Sequence, residues 1–116
     1  MSRALLLAPS ATVKRTATGR FSFTLRATPA RELKQLLEHM LSLERTEQIW
    51  HQAGVIEAMY AALAAEMWHK LHGLALISAR TSFSLSPLQA VVFCSLLQDY
   101  VQFLPELRGQ LQQKLT

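Results

Sequence analysis

The chain has 116 residues, half of them apolar, with one cysteine, a formal charge of +4 and a mean hydropathy of +0.14. This fits a single domain over residues 1–116 with a core of its own, and excludes a disordered polyelectrolyte and any internal disulfide. Residues 83–104 come nearest to a membrane span, but Gln89, Ser95, Gln98, Asp99 and Gln102 interrupt them, so no membrane partner is expected.

The charge is segregated. Residues 1–34 hold seven of the twelve Lys/Arg and one acid, Glu32; the remainder holds five basic and seven acidic residues. The two parts therefore run +6 and −2, a basic leader on a slightly acidic body. Residues 4–8 are apolar, yet five residues fall short of a secretory core of about seven to fifteen. The first 31 residues are rich in Arg, Ser and Thr and free of acids, which is also the composition of an organellar transit peptide. The lone Cys94 suits a reducing compartment, so a cytoplasmic location is expected.

Residues 11–27 are expected to form a β-hairpin. Phe21, Phe23 and Leu25 alternate with Arg20, Ser22, Thr24 and Arg26, a period of two. A three-residue loop, Ala17-Thr18-Gly19, with Gly19 left-handed, pairs Arg20 with Thr16, Ser22 with Lys14 and Phe23 with Val13. One face then carries Val13, Phe21, Phe23 and Leu25, with Arg15 near its tip; the other carries Lys14, Arg20, Arg26 and hydroxyls. Residues 4–8 offer a short third strand.

Thr28 as N-cap and Pro29 at the first helical position open the first helix. Leu33, Leu36, Leu37, Met40 and Leu41 line one side of it. Gly54 is its preferred stop; a break near Thr46 is the alternative. A second helix is expected over residues 55–79, thinned by alanines and weakened at Gly73. Residues 80–84 read as a polar linker. Ser86, Pro87 and Gln89 form a capping box for a third helix, apolar on most of its circumference. Its polar line of Ser95, Gln98, Asp99 and Gln102 is either a solvent edge or a seam against another helix. Pro105 starts a short last helix, interrupted at Gly109. The expected fold is α+β, mostly α. It has a basic N-terminal segment over residues 1–27 with the hairpin, then a helical body over residues 28–116: a three-helix bundle plus the short C-terminal helix.

Three sets of residues are candidates for chemistry. Lys14, Arg15, Arg20 and Arg26 would neutralise phosphates of a nucleic-acid backbone without reading sequence, or dock on an acidic protein surface. Phe21 and Phe23 would stack bases if exposed, but core packing is the plainer expectation. Glu66, His69 and His72 share one helix side at a metal-ligand spacing, which points to a metal-binding helical dimer. That reading is weakened by Lys70 and the scarcity of acids, so no cofactor or metal is expected. Cys94 sits in an apolar helix, and Asp99 is the only aspartate, which leaves little material for an enzyme. The expected function is a non-enzymatic accessory or assembly subunit. Its body self-associates or joins a larger complex, and its hairpin touches nucleic acid. The alternative is a protein-only scaffold or inhibitor that docks an acidic partner.

Overall fold

A computed structural model describes residues 11–44, 54–72 and 80–116 of the chain. In chain order these form β1 (Ala11–Arg15), β2 (Phe21–Arg26), α1 (Ala27–Glu44), α2 (Val55–His72), β3 (Arg80–Leu85), α3 (Pro87–Asp99) and α4 (Pro105–Leu115). The fold is mostly helical with one three-stranded antiparallel sheet, in the order β1-β2-β3.

The hairpin has the expected register: Val13 pairs with Phe23 and Lys14 with Ser22. Gly19 adopts φ 85°, and the Gly19 amide donates to the Thr16 carbonyl at 3.0 Å. A side chain there would be strained, so glycine at this position fixes the turn and with it the face each residue occupies.

Residues 80–84 are not a linker. They belong to β3, which pairs with β2 so that Phe23 faces Phe83 and Leu25 faces Thr81. Those two phenyl rings stack 4.9 Å apart, and Phe93 of α3 meets Phe23 edge-on at 5.6 Å. The cross-strand ring pair, clamped by a third ring, supplies the packing that draws a hydroxyl-rich segment into the sheet.

The helices cover one face of that sheet. α1 packs on α2 and touches β2 and β3; α2 and α3 both reach β3; α4 runs along β1. One core cluster joins all of these elements, including Phe21, Phe23 and Leu25 from β2, Leu33, Leu36 and Leu37 from α1, Met67 from α2, and Phe93 and Leu97 from α3. The helices are therefore a layer on a sheet, not a bundle with a hairpin appended.

Three local expectations are corrected. α1 begins at Ala27, so Thr28 and Pro29 lie inside its first turn, where Pro29 still forfeits no helical hydrogen bond. α3 ends at Asp99, with Tyr100 as its C-cap, so Gln102 of the expected polar line lies beyond the helix. α4 runs unbroken through Gly109, anchored on either side by buried Leu107 and Leu111. The capping box of α3 is present: Ser86 Oγ accepts from the Gln89 amide, and Gln89 Oε1 accepts from the Ser86 amide. The strand expected at residues 4–8, the stop at Gly54 or Thr46, and the extension of α2 past His72 through Gly73 fall on or beyond the limits of the described residues.

Two side chains fasten α4 to the rest. Gln110 donates from Nε2 to the Ala11 carbonyl at 2.6 Å and accepts the Val13 amide at 3.1 Å, so one carboxamide serves the outer edge of β1 as a neighbouring strand would. Glu32 Oε1 accepts the Leu104 amide at 2.8 Å, where Leu104 sits left-handed (φ 50°, ψ 51°) just before Pro105. A left-handed leucine costs about 1–2 kcal/mol. Burying its side chain offsets this, at about 1.5–3 kcal/mol.

Candidate functional site: the open face of the sheet

Period-two alternation sorts the sheet residues completely. Val13, Phe21, Phe23, Leu25, Phe83 and Leu85 are buried beneath the helices. Phe21 is 2 % exposed and Phe23 is fully buried, so neither is a platform for bases.

The other face carries three rows that run across the strands. The first is Lys14–Ser22–Ser84, the second Thr12–Thr24–Ser82, and the third pairs Arg26 with Arg80. Arg20 lies one step beyond the first row and donates from Nε and Nη2 to Ser84 Oγ at 3.4 and 3.3 Å. Thr24 and Ser82 hydroxyls meet at 3.4 Å. Lys70 of α2 donates to the Ser84 carbonyl at 3.3 Å, which adds a fifth cation beside the first row. The charged members are exposed, and the hydroxyls are exposed or half-buried. Neither the three strands nor the turn contains a carboxylate.

Of the four basic residues expected to act together, three share this face. Arg15 does not: its guanidinium lies 5.6 Å from the Phe21 ring centroid, on the core side at the tip of the hairpin. Sequence reasoning missed Arg80, Ser82 and Ser84. Their alternation with Thr81, Phe83 and Leu85 was the available signal, diluted because only two of the six residues are large and apolar.

Glu66 Oε2 accepts from Gln89 Nε2 at 2.9 Å, tying α2 to the start of α3, and His69 is exposed. Among the described residues no group of three or more His, Cys, Asp or Glu is placed to hold a metal; the His72 side chain lies outside them. Cys94 is buried, with Gln98 Nε2 at 3.8 Å from Sγ. Desolvation pushes its thiol pKa up, which favours the neutral form over a nucleophilic thiolate. The Tyr60 hydroxyl donates to Asp99 Oδ2 at 2.7 Å. Its one proton is thereby committed, so Ser95 donates to Tyr60 Oη at 2.5 Å. The expected polar line is thus a seam against α2 at Ser95 and Asp99 and solvent-exposed at Gln98, while Gln102 lies exposed beyond the end of α3.

Comparison with family models, with curated proteins and with solved structures finds no match. The site is therefore read from its own chemistry. No helix among the described residues is long and apolar enough to cross a membrane.

A second surface lies on the helical layer. Val55, Ile56 and Met59 of α2 and Leu88 and Val91 of α3 are exposed, Val55 at 77 % and Leu88 at 68 %. Met59, Ala62, Leu88 and Val92 line a shallow groove between the two helices.

Proposed function

We propose that the protein is a non-enzymatic accessory subunit that holds a nucleic-acid backbone on the open face of its sheet. The hairpin and β3 present the cations, and the helical body is the part that joins other protein. One observation carries the reading: Lys14, Arg20, Arg26 and Arg80 share a face with five hydroxyls, and neither the three strands nor the turn contributes a carboxylate to it. Guanidinium forks and an ammonium group satisfy phosphate oxygens, and serine and threonine hydroxyls add hydrogen bonds to phosphate and sugar. Used on phosphate and sugar, these contacts carry no base identity, so binding is expected to have little sequence preference and a steep salt dependence. Arg15, on the other side of the hairpin, is left out of the contact set.

A protein-only role is the second reading, favoured by the exposed apolar residues of α2 and α3. In that case affinity resides in Ile56, Met59 and Leu88 as anchors. In the third reading, a metal-binding dimer, Glu66 would ligate through Oε1 while Oε2 keeps its bond from Gln89.

An amide chemical-shift titration with a short nucleic-acid duplex tests the proposal. Shifts concentrated at residues 12–14, 20–26 and 80–84 are expected. Shifts confined to α2 and α3, or none at all at low salt, would overturn it.

A further inference from the structure

We infer that the open face is built for a duplex and not for a single strand. This rests on the nucleic-acid reading above and adds the class of ligand.

The spacing of the charges is the first observation. The Lys14–Ser22–Ser84 row and the Arg26–Arg80 row are four residues apart along β2, about 14 Å at roughly 3.4 Å per residue. Between them lies the uncharged row Thr12–Thr24–Ser82. A single backbone is held by a continuous cationic track, because each successive phosphate needs a partner. Two cationic ends, Lys14 with Arg20 on one side and Arg26 with Arg80 on the other, flank the neutral hydroxyl row and match two phosphate strands on either side of a groove. The Lys and Arg side chains are long enough to adjust to a groove of about 6–12 Å.

The second observation is where the aromatic rings are. Single-strand binders gain about 1–3 kcal/mol per base from rings that stack on unpaired bases. Here Phe21, Phe23 and Phe83 all point into the core, where Phe23 and Phe83 stack on each other. The open strand positions carry no aromatic residue at all. The strands therefore offer no aromatic platform for an unpaired base, while the denser phosphate array of a duplex rewards their cations. The hydroxyl row is also suited to sugar edges exposed in a groove.

The test is a direct competition. A labelled duplex and one of its separated strands are titrated with the full chain at low salt. The double variants Lys14→Ala, Arg20→Ala and Arg26→Ala, Arg80→Ala run alongside, with folding verified by thermal melting. The duplex is expected to bind at least about tenfold more tightly, and loss of either row is expected to shrink that preference toward unity. Equal or tighter binding of the single strand, or a preference that survives removal of a whole row, would overturn the duplex assignment while leaving backbone binding intact. No binding of either form would overturn the nucleic-acid reading itself.

Discussion

Arg26 and Arg80 stand directly opposite each other at the end of the β2–β3 ladder, two like charges in register on the open face. Such pairs are selected against by roughly 0.2–1 kcal/mol in an ordinary sheet. On the proposed reading, a phosphate held between them would make two charge-assisted contacts. Arg26→Thr keeps strand propensity and removes one fork. A ligand that binds only the folded state raises its melting temperature. The duplex is therefore expected to raise the melting temperature of Arg26→Thr less than that of the parent chain. An equal rise in both would remove Arg26 from the site.

Glu32 holds the entrance to α4. Glu32→Ala leaves the Leu104 amide without its carboxylate acceptor and is expected to cost about 1–3 kcal/mol in urea unfolding. Glu32→Gln retains an acceptor and forfeits only the charge at a helix N-terminus, about 0.3–1 kcal/mol. Equal losses in the two variants would mean that the charge, not the hydrogen bond, is what matters there.

Cys94 gives the fold a pH dependence with a defined sign. Burial raises its pKa in the folded chain above that of the unfolded chain. The folded state therefore holds the thiol proton more tightly. Its contribution is complete below the unfolded value and declines as the pH rises through the folded one, a window that opens at about 8.5–9. Cys94→Ala removes this linkage. The stability gap between parent and variant, measured by urea unfolding, is expected to be constant near neutrality and to narrow above that window. A gap that widens with pH would contradict the burial account.

Gly109 sits within α4 at an exposed position, and a Cβ placed there meets nothing within 4 Å. Gly109→Ala is expected to stabilise the chain by about 0.5–1 kcal/mol, through helix propensity and lower unfolded-state entropy. A loss of stability in thermal melting would mean that α4 needs the glycine.

Which of these features the sequence disclosed depends on how locally each is encoded. The hairpin register follows from Phe21-Ser22-Phe23-Thr24-Leu25 and a left-handed Gly19, all within ten residues. The Ser86–Gln89 capping box is equally local, and both were readable. β3 was not, because Arg80-Thr81-Ser82-Phe83-Ser84-Leu85 puts a threonine at one of its three buried positions and so looks polar. Its strand state comes from Phe83 pairing with a phenylalanine 60 positions earlier. The split of the α3 polar line likewise depends on Tyr60, which meets Asp99 and Ser95 only once α2 and α3 are packed. For the candidate site, alternation correctly put Lys14, Arg20 and Arg26 together and Arg15 apart. It missed the contribution of β3, and with it Arg80, the residue opposite Arg26.

The central claim is that this open face grips phosphates, and the salt dependence of duplex affinity tests it most directly. The parent chain is compared with a variant in which Lys14, Arg20, Arg26 and Arg80 are all replaced by Gln. Each phosphate neutralised contributes about 0.9 to the slope of log affinity against log salt, so removing four contacts is expected to flatten that slope by roughly 3–4. Identical slopes in the two proteins, or no duplex binding by the folded parent chain at low salt, would contradict the claim.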